Sequence, residues 1–186
     1  MPAADEPALS LAEWLVLCLV CEQPRHGFAL ARLLGADGDL GRIWRVPKPV
    51  VYRALQRLEH LGLVSQGLPE RTSLGPARAT VDASGAGRRL ASHWLTRPAS
   101  HTRDVRSELL VKLALLERSG RDPRPLLDAQ RERLVPVARA LRARLNHEVG
   151  FEHTLALWRT ETIEATLRFL DAMRPSDAAD ADRTAG

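Results

Sequence analysis

Residues 46–64, VPKPVVYRALQRLEHLGLV, decide the fold that the sequence predicts. Their apolar positions recur at the spacing of one face of an α-helix, and they are Val51, Ala54, Leu55, Leu58 and Leu61. The opposite face comprises Pro49, Arg53, Gln56, Arg57 and His60, with Lys48 and Tyr52 near the start, and it carries positive charge and hydrogen-bond donors without an acid. Gly62 follows the last apolar position, where a helix is expected to end. Such a helix suits either the reading of DNA or an ordinary solvated surface.

Positive charge is concentrated around this predicted helix. The whole chain has a net charge of +4, whereas residues 42–78 alone carry seven basic and two acidic side chains, a balance of +5. A local excess of this kind is typical of a protein that binds a polyanion such as nucleic acid. The basic residues are Arg42, Arg45, Lys48, Arg53, Arg57, Arg71 and Arg78, and the acids are Glu59 and Glu70.

The composition is that of a globular protein, with 45% apolar residues in a chain of 186, so we expect a packed core. The sequence has no run of about 18 uncharged apolar residues, and its first ten residues lack the basic segment of a secretory signal. We therefore expect a cytoplasmic protein without a membrane span. Cys18 and Cys21 lie in an apolar run without a second pair or a histidine pair. This pattern favours buried thiols over a metal site, so neither a metal nor a cofactor is expected.

The order of elements around the central helix predicts a winged helix-turn-helix. Residues 9–22 are apolar nearly all the way round, which predicts a helix with one face in its own domain and the other against a partner subunit. Residues 27–35 are predicted to form a second, short helix. Strands at residues 64–67 and 77–81 flank a turn-rich loop and predict a two-stranded β-wing, whose arginines can contact phosphates.

The chain beyond residue 100 is predicted to be helical. Leu127, Leu134 and Leu141 lie seven residues apart, a heptad-like seam that favours packing against another long helix. Pro136 falls inside this helix and should kink it or split it in two. The predicted fold is therefore mainly α with a small two-stranded β-wing. Its expected parts are a disordered leader (1–8), a winged helix-turn-helix domain (9–96), an α-helical dimerisation domain (101–174) and a disordered tail (175–186).

Three stretches resemble the PadR family of bacterial transcriptional regulators. Residues 24–30, PRHGFAL, are similar to the family's P-R-H-G-Y-x-L, and residues 51–64, VYRALQRLEHLGLV, to its L-Y-x-A-L-x-R-L-E-x-x-G-L-[IV]. Residues 103–113, RDVRSELLVKL, resemble part of the first helix after the winged domain in one subgroup. The chain departs from the family where the wing ends, since residues 78–85 lack the two usual aromatics, and where VPKPVVY replaces the usual S-P-G-T-L-Y.

The resemblance implies a homodimeric winged-helix repressor that binds a palindromic operator in double-stranded DNA, with the central helix in the major groove. The cationic face of the central helix and the arginines of the wing give the expected DNA-binding residues, which are Lys48, Val50, Tyr52, Arg53, Gln56, Arg57, Arg71 and Arg78. For Tyr52 the alternative is packing at the flank of the helix. The C-terminal helices, assisted by the first helix, are expected to form the dimer interface. Its residues should include Leu11, Leu15, Leu127, Leu134, Leu141, Leu155 and Trp158.

A small aromatic effector is a further expectation, because some relatives resemble sensors of drugs or phenolic acids. Trp14, Trp94 and Trp158 could contact such a ligand, although core packing explains a tryptophan on an apolar helix face at least as well. Enzymatic activity is not expected, since the histidines are scattered and no nucleophile elbow, P-loop or dinucleotide fingerprint is present. The alternative function is a basic helical protein-interaction module without specific DNA recognition.

Overall fold

The structure, a computed structural model, describes residues 7–67 and 79–174. These residues are mainly α-helical with a small antiparallel sheet, which confirms the predicted fold class. The helices are α1 (Leu11–Glu22), α2 (Gly27–Leu33), α3 (Lys48–His60), α4 (Gly85–Thr96), α5 (Thr102–Asp104), α6 (Leu110–Arg118), α7 (Arg124–Leu145) and α8 (Gly150–Ala172), with a π-helical turn over Val105–Leu109. The strands are β1 (Arg25–His26), β2 (Val64–Gln66) and β3 (Thr80–Ala83). The predicted leader up to residue 6, the wing residues 68–78 and the tail from residue 175 lie outside the described residues.

Contacts divide the chain into two compact units. Among the described residues, the first comprises residues 7–67, 79–95 and 106–121, and the second comprises residues 96–105 and 122–174. Helix α6, which the sequence analysis assigned to the C-terminal domain, packs against α1 in the first unit. The division of the chain into a DNA-binding and a dimerisation domain stays a prediction.

Helix α1 forms the centre of the first unit. It begins with a capping box, in which the Ser10 hydroxyl accepts from the backbone N–H of Glu13 and the Glu13 carboxylate accepts from the backbone N–H of Ser10. Every residue from Glu13 to Val20 is buried. The all-round apolar pattern is therefore satisfied inside this chain, and the interpretation that one face of α1 needs a partner subunit is wrong for these residues.

The β-sheet has the strand order β1–β3–β2 and is antiparallel throughout. Strands β2 and β3 are the two predicted strands of the wing, whereas β1 was not predicted because two residues carry no periodicity. Helix α3 leads directly into β2 through Gly62, which has a positive φ of 67°. A left-handed residue of this kind ends a helix with little strain only when it is glycine.

The second unit is built around the antiparallel packing of α7 against α8. Leu134 and Ala138 of α7 and Ile163 and Leu170 of α8 are buried. Surface ion pairs join the two helices near both ends of the contact, between Arg131 and Asp171, between Arg142 and Glu164, and between Arg174 and Asp128. Helix α7 runs through Pro136 as one element, so the proline does not split it.

Three residues expected at a dimer interface are already packed inside the chain. Leu15, Leu127 and Leu134 have 0%, 1% and 2% of their surface exposed. A side chain with no accessible surface can add no apolar contact to a partner, so these three residues are corrected to core positions. The other four, Leu11, Leu141, Leu155 and Trp158, retain accessible surface and stay predicted interface residues.

Candidate nucleic-acid interface

Helix α3 separates its residues into a buried face and an exposed cationic face. Val51, Ala54, Leu55 and Leu58 are buried, as the apolar spacing predicted, whereas Leu61 at the C-cap is exposed. Of the predicted DNA-binding residues, the structure places five on the exposed side of α3 and one, Val50, at its margin. The exposed five are Lys48, Tyr52, Arg53, Gln56 and Arg57. The absence of any acid in the first three turns leaves this face positive.

The Arg57 guanidinium has an ion-pair partner and a hydrogen-bond partner in the fold, whereas that of Arg53 has neither among the described residues. The Arg57 guanidinium lies 3.4 Å from the Glu13 carboxylate and donates at 3.0 Å to the Ala8 carbonyl oxygen. Because Glu13 also completes the capping box of α1, this contact joins the C-terminal half of α3 to the start of α1. Neutralisation by Glu13 reduces the charge that Arg57 can present to a phosphate. Arg53 has no hydrogen-bond or ion-pair partner among the described residues, so its full charge faces solvent.

The first turn of α3 offers few free backbone donors. The N–H groups of Val50 and Val51 both donate to the Pro47 carbonyl oxygen, at 2.8 and 3.2 Å, and Pro49 has no N–H group. Helix N-termini commonly bind anions through free amides. An anion at this end of α3 would therefore depend mainly on side chains, and Lys48 is the cationic side chain at the first position of the helix.

A groove of about 450 Å³ runs between α3 and the sheet, on the side where Lys48, Tyr52 and Gln56 are exposed. Among the lining residues that the sequence analysis did not assign to the interface, three have polar or aromatic side chains: His26 of β1, Phe28 of α2 and Gln66 of β2. The Nδ1 atom of His26 lies 3.1 Å from the Ala79 carbonyl oxygen, which can only accept, so Nδ1 carries a proton. The motif PRHGF marked this region of the sequence, but the approach of β1 and α2 to α3 is a tertiary feature.

The base of the wing lies beside the same groove. Strands β2 and β3 pair from Val64 with Ala83 to Gln66 with Val81, and the Gly67 N–H donates to the Thr80 carbonyl oxygen at 2.8 Å. Gln66 is anchored to the end of α3 through a 2.9 Å bond from its Nε2 to Glu59. The two remaining predicted DNA-binding residues, Arg71 and Arg78, lie outside the described residues.

Two of the three predicted ligand-contacting tryptophans come together. The rings of Trp14 and Trp94 stack with centroids 4.8 Å apart and are both buried. The Lys112 ammonium lies 4.4 Å from the Trp94 centroid and donates to Glu108 at 2.6 Å. A stack this close leaves no room for a ligand between the rings, so core packing explains both residues. Trp158 belongs to the second unit and is 70% exposed.

The two cysteines have the properties of poorly reactive thiols. Burial raises the pKa of the Cys21 thiol to about 11, and burial raises the pKa of Cys18 as well. Both sulfhydryls are free. In residues 7–67 and 79–174 no group of three histidine, cysteine or acidic side chains is arranged to hold a metal ion. No helix in this part of the chain is long and apolar enough to cross a membrane.

No protein-family model and no curated protein sequence matches the chain. Among solved structures, it is similar to Bacillus subtilis PadR in complex with operator DNA, with a TM-score of 0.46 and 16% identity over 88% of this chain and 97% of that one. The smu.1604c protein of Streptococcus mutans UA159 is similar with a TM-score of 0.42 and 13% identity, over 86% of this chain and 96% of that one. Bacillus subtilis PadR in complex with p-coumaric acid is similar with a TM-score of 0.41 and 14% identity, over 89% of this chain and 96% of that one.

Proposed function

We propose that this chain is a sequence-specific DNA-binding transcriptional regulator that acts as a dimeric repressor in the cytoplasm. The observation that carries the proposal is the exposed face of α3, where Lys48 and Arg53 project from the first turns without an acidic neighbour. A helix of 13 residues with one buried face fits the major groove of B-form DNA. The winged order of helices and strands presents this face at the surface of the first unit.

The dimer part of the proposal rests on α8. One side of this helix packs on α7, and another side carries apolar residues at helical spacing that remain exposed. Phe151 is 76% exposed and Trp158 is 70% exposed, followed along the same side by Phe169 and Met173. Exposed aromatics in a row are typical of an interface. A second copy of this chain covering the row would pair two α3 helices, whose half-sites should lie about 34 Å apart on a palindromic operator.

The test is capture of genomic DNA fragments bound by the purified protein, followed by titration of an enriched duplex at several salt concentrations. Arg53→Ala should lower affinity and reduce the slope of log affinity against log salt by about 0.9 if Arg53 contacts one phosphate. Arg139→Ala is the matched control, since Arg139 is exposed on α7 in the second unit. Equal binding of enriched and scrambled duplexes would instead support the basic protein-interaction module.

Release by a small aromatic ligand is the remaining part of the proposal. Trp158 is accessible in the single chain, so a ligand that contacts it would bind at the proposed dimer interface, and the buried Trp14–Trp94 stack would report a change of packing through its fluorescence. Titration with a panel of phenolic and other aromatic compounds, read by tryptophan fluorescence and by DNA affinity, decides the point. No change in either fluorescence or DNA affinity would contradict an aromatic effector, but it would not contradict the proposed DNA binding.

A further inference from the structure

Phe28 is the most exposed aromatic residue in the described part of the first unit. It is 53% exposed, compared with 43% for Trp44 and 40% for Tyr52. It lies one residue inside α2, at the edge of the groove beside α3. About half of the Phe28 side chain is therefore accessible to neighbouring side chains at the edge of this groove.

The ring of Phe28 has a cationic neighbour. The Nζ atom of Lys48 lies 5.7 Å from the ring centroid, within the range of a cation–π interaction. Lys48 has no acidic partner among the described residues, so the ring is what orients its ammonium. A lysine side chain is otherwise free to adopt many rotamers, and ordering it on binding has an entropic cost.

The backbone keeps the two elements close enough for this contact. A Cβ atom on Gly27 would lie 2.9 Å from the Tyr52 ring, so the start of α2 packs directly on α3. Lys48 is the first residue of α3, and Pro47 and Pro49 on either side of it restrict the backbone there. The backbone of Lys48 is therefore fixed at the start of α3, where the Val50 and Val51 amides are not free to bind a phosphate.

We propose that Phe28 is a positioning residue for DNA binding, which holds the Lys48 ammonium over its ring in the orientation that meets a backbone phosphate. This inference rests on the proposed function, because it assigns the phosphate contact at the start of α3 to a pair of residues from two helices. Phe28 acts through Lys48, and the pair replaces the amide donors that the first turn lacks.

The experiment is a double-mutant cycle on the full chain with an enriched duplex, using Phe28→Leu, Lys48→Gln and the combined variant. Lys48→Gln should reduce the salt slope by about 0.9. Phe28→Leu should lower affinity about two- to fivefold, the range of an exposed cation–π contact, and Phe28→Tyr should retain wild-type affinity. In the combined variant Phe28→Leu should cause no further loss. Equal losses from Phe28→Leu in both backgrounds would overturn the positioning role, since Phe28 would then act independently of Lys48.

A second measurement separates this inference from DNA binding itself. In the free protein, the ring current of Phe28 should shift the Lys48 ε-methylene protons upfield, and Phe28→Leu should remove that shift without lowering the melting temperature appreciably. An unshifted Lys48 signal in the wild-type protein would overturn the inference. A wild-type protein that shows the shift but binds no duplex would instead contradict the proposed function.

Discussion

Helices α1 and α8 are both apolar on more than one side, but only α1 is enclosed by its own chain. From Glu13 to Val20 every residue of α1 is buried. Helix α8 buries Ala156, Ile163 and Leu170 and leaves Phe151 and Trp158 largely exposed. The same kind of apolar surface thus serves folding in one helix and is available for assembly in the other. Burial in the single chain distinguishes the two, and composition does not.

The largest expected effect is on folding, from truncating a core leucine of α1. Leu17 is fully buried, so Leu17→Ala should lower the free energy of unfolding by about 2–5 kcal/mol through lost burial and a residual cavity. Leu157→Ala is the matched control on α8, where Leu157 is 42% exposed and should change stability by less than about 0.5 kcal/mol. Urea denaturation measures both. Similar losses at the two sites would contradict the distinction between the helices.

Truncating Trp158 should affect assembly instead of folding. Trp158→Ala should weaken self-association by about 2 kcal/mol or more, since large aromatics at an interface dominate its energy. Monomer stability should change little because the side chain is 70% exposed. Sedimentation at several protein concentrations measures the association constant, with exposed Arg168→Ala on the same helix as control. Unchanged association in Trp158→Ala would mean that the exposed row of α8 is not the dimer interface.

A smaller effect is expected at the beginning of α1. Ser10→Ala removes the N-cap that accepts from Glu13 and should cost about 1 kcal/mol of stability. It should also loosen the Glu13 carboxylate beside Arg57, which frees more of the Arg57 charge for a phosphate, so DNA affinity should rise slightly in Ser10→Ala and in Glu13→Gln. Thermal unfolding and duplex titration measure the two effects. Full stability in Ser10→Ala would show that the tertiary burial of α1 makes the cap dispensable.

The smallest effect concerns the thiols of α1. Because burial raises the pKa of Cys21 to about 11 in the folded protein, its reaction with a thiol reagent should be slow at neutral pH and rise as pH approaches 11. The raised folded-state pKa also means that this thiol stabilises the fold below its unfolded pKa and loses that contribution as pH rises through 9 to 11. Labelling rates of native and urea-unfolded protein between pH 8 and 10 test this. Equal rates in the two states would contradict the partial burial of Cys21.

Much of the fold could be predicted because its helices follow from the local spacing of apolar residues. The spacing of Val51, Ala54, Leu55 and Leu58 predicted both α3 and the face that it buries. Strand β1 could not be predicted, since its two residues are extended only because β3 lies beside them. The candidate interface was predicted in part for the same reason. Its residues on α3 share one helix face, whereas Phe28 and Gln66 join it from elements whose approach no short-range pattern encodes.

The sequence by itself determined which residues share a helix face and which lie on opposite faces, because side-chain direction in a helix follows from its 3.6-residue period. It thereby determined the cationic face of α3 and the all-round apolar character of α1. Only the tertiary structure decided what covers each face. It placed Glu13 against Arg57, stacked Trp14 on Trp94 and left Trp158 exposed. These outcomes depend on contacts between residues distant in the chain, whose free energies arise from packing and desolvation and not from local spacing.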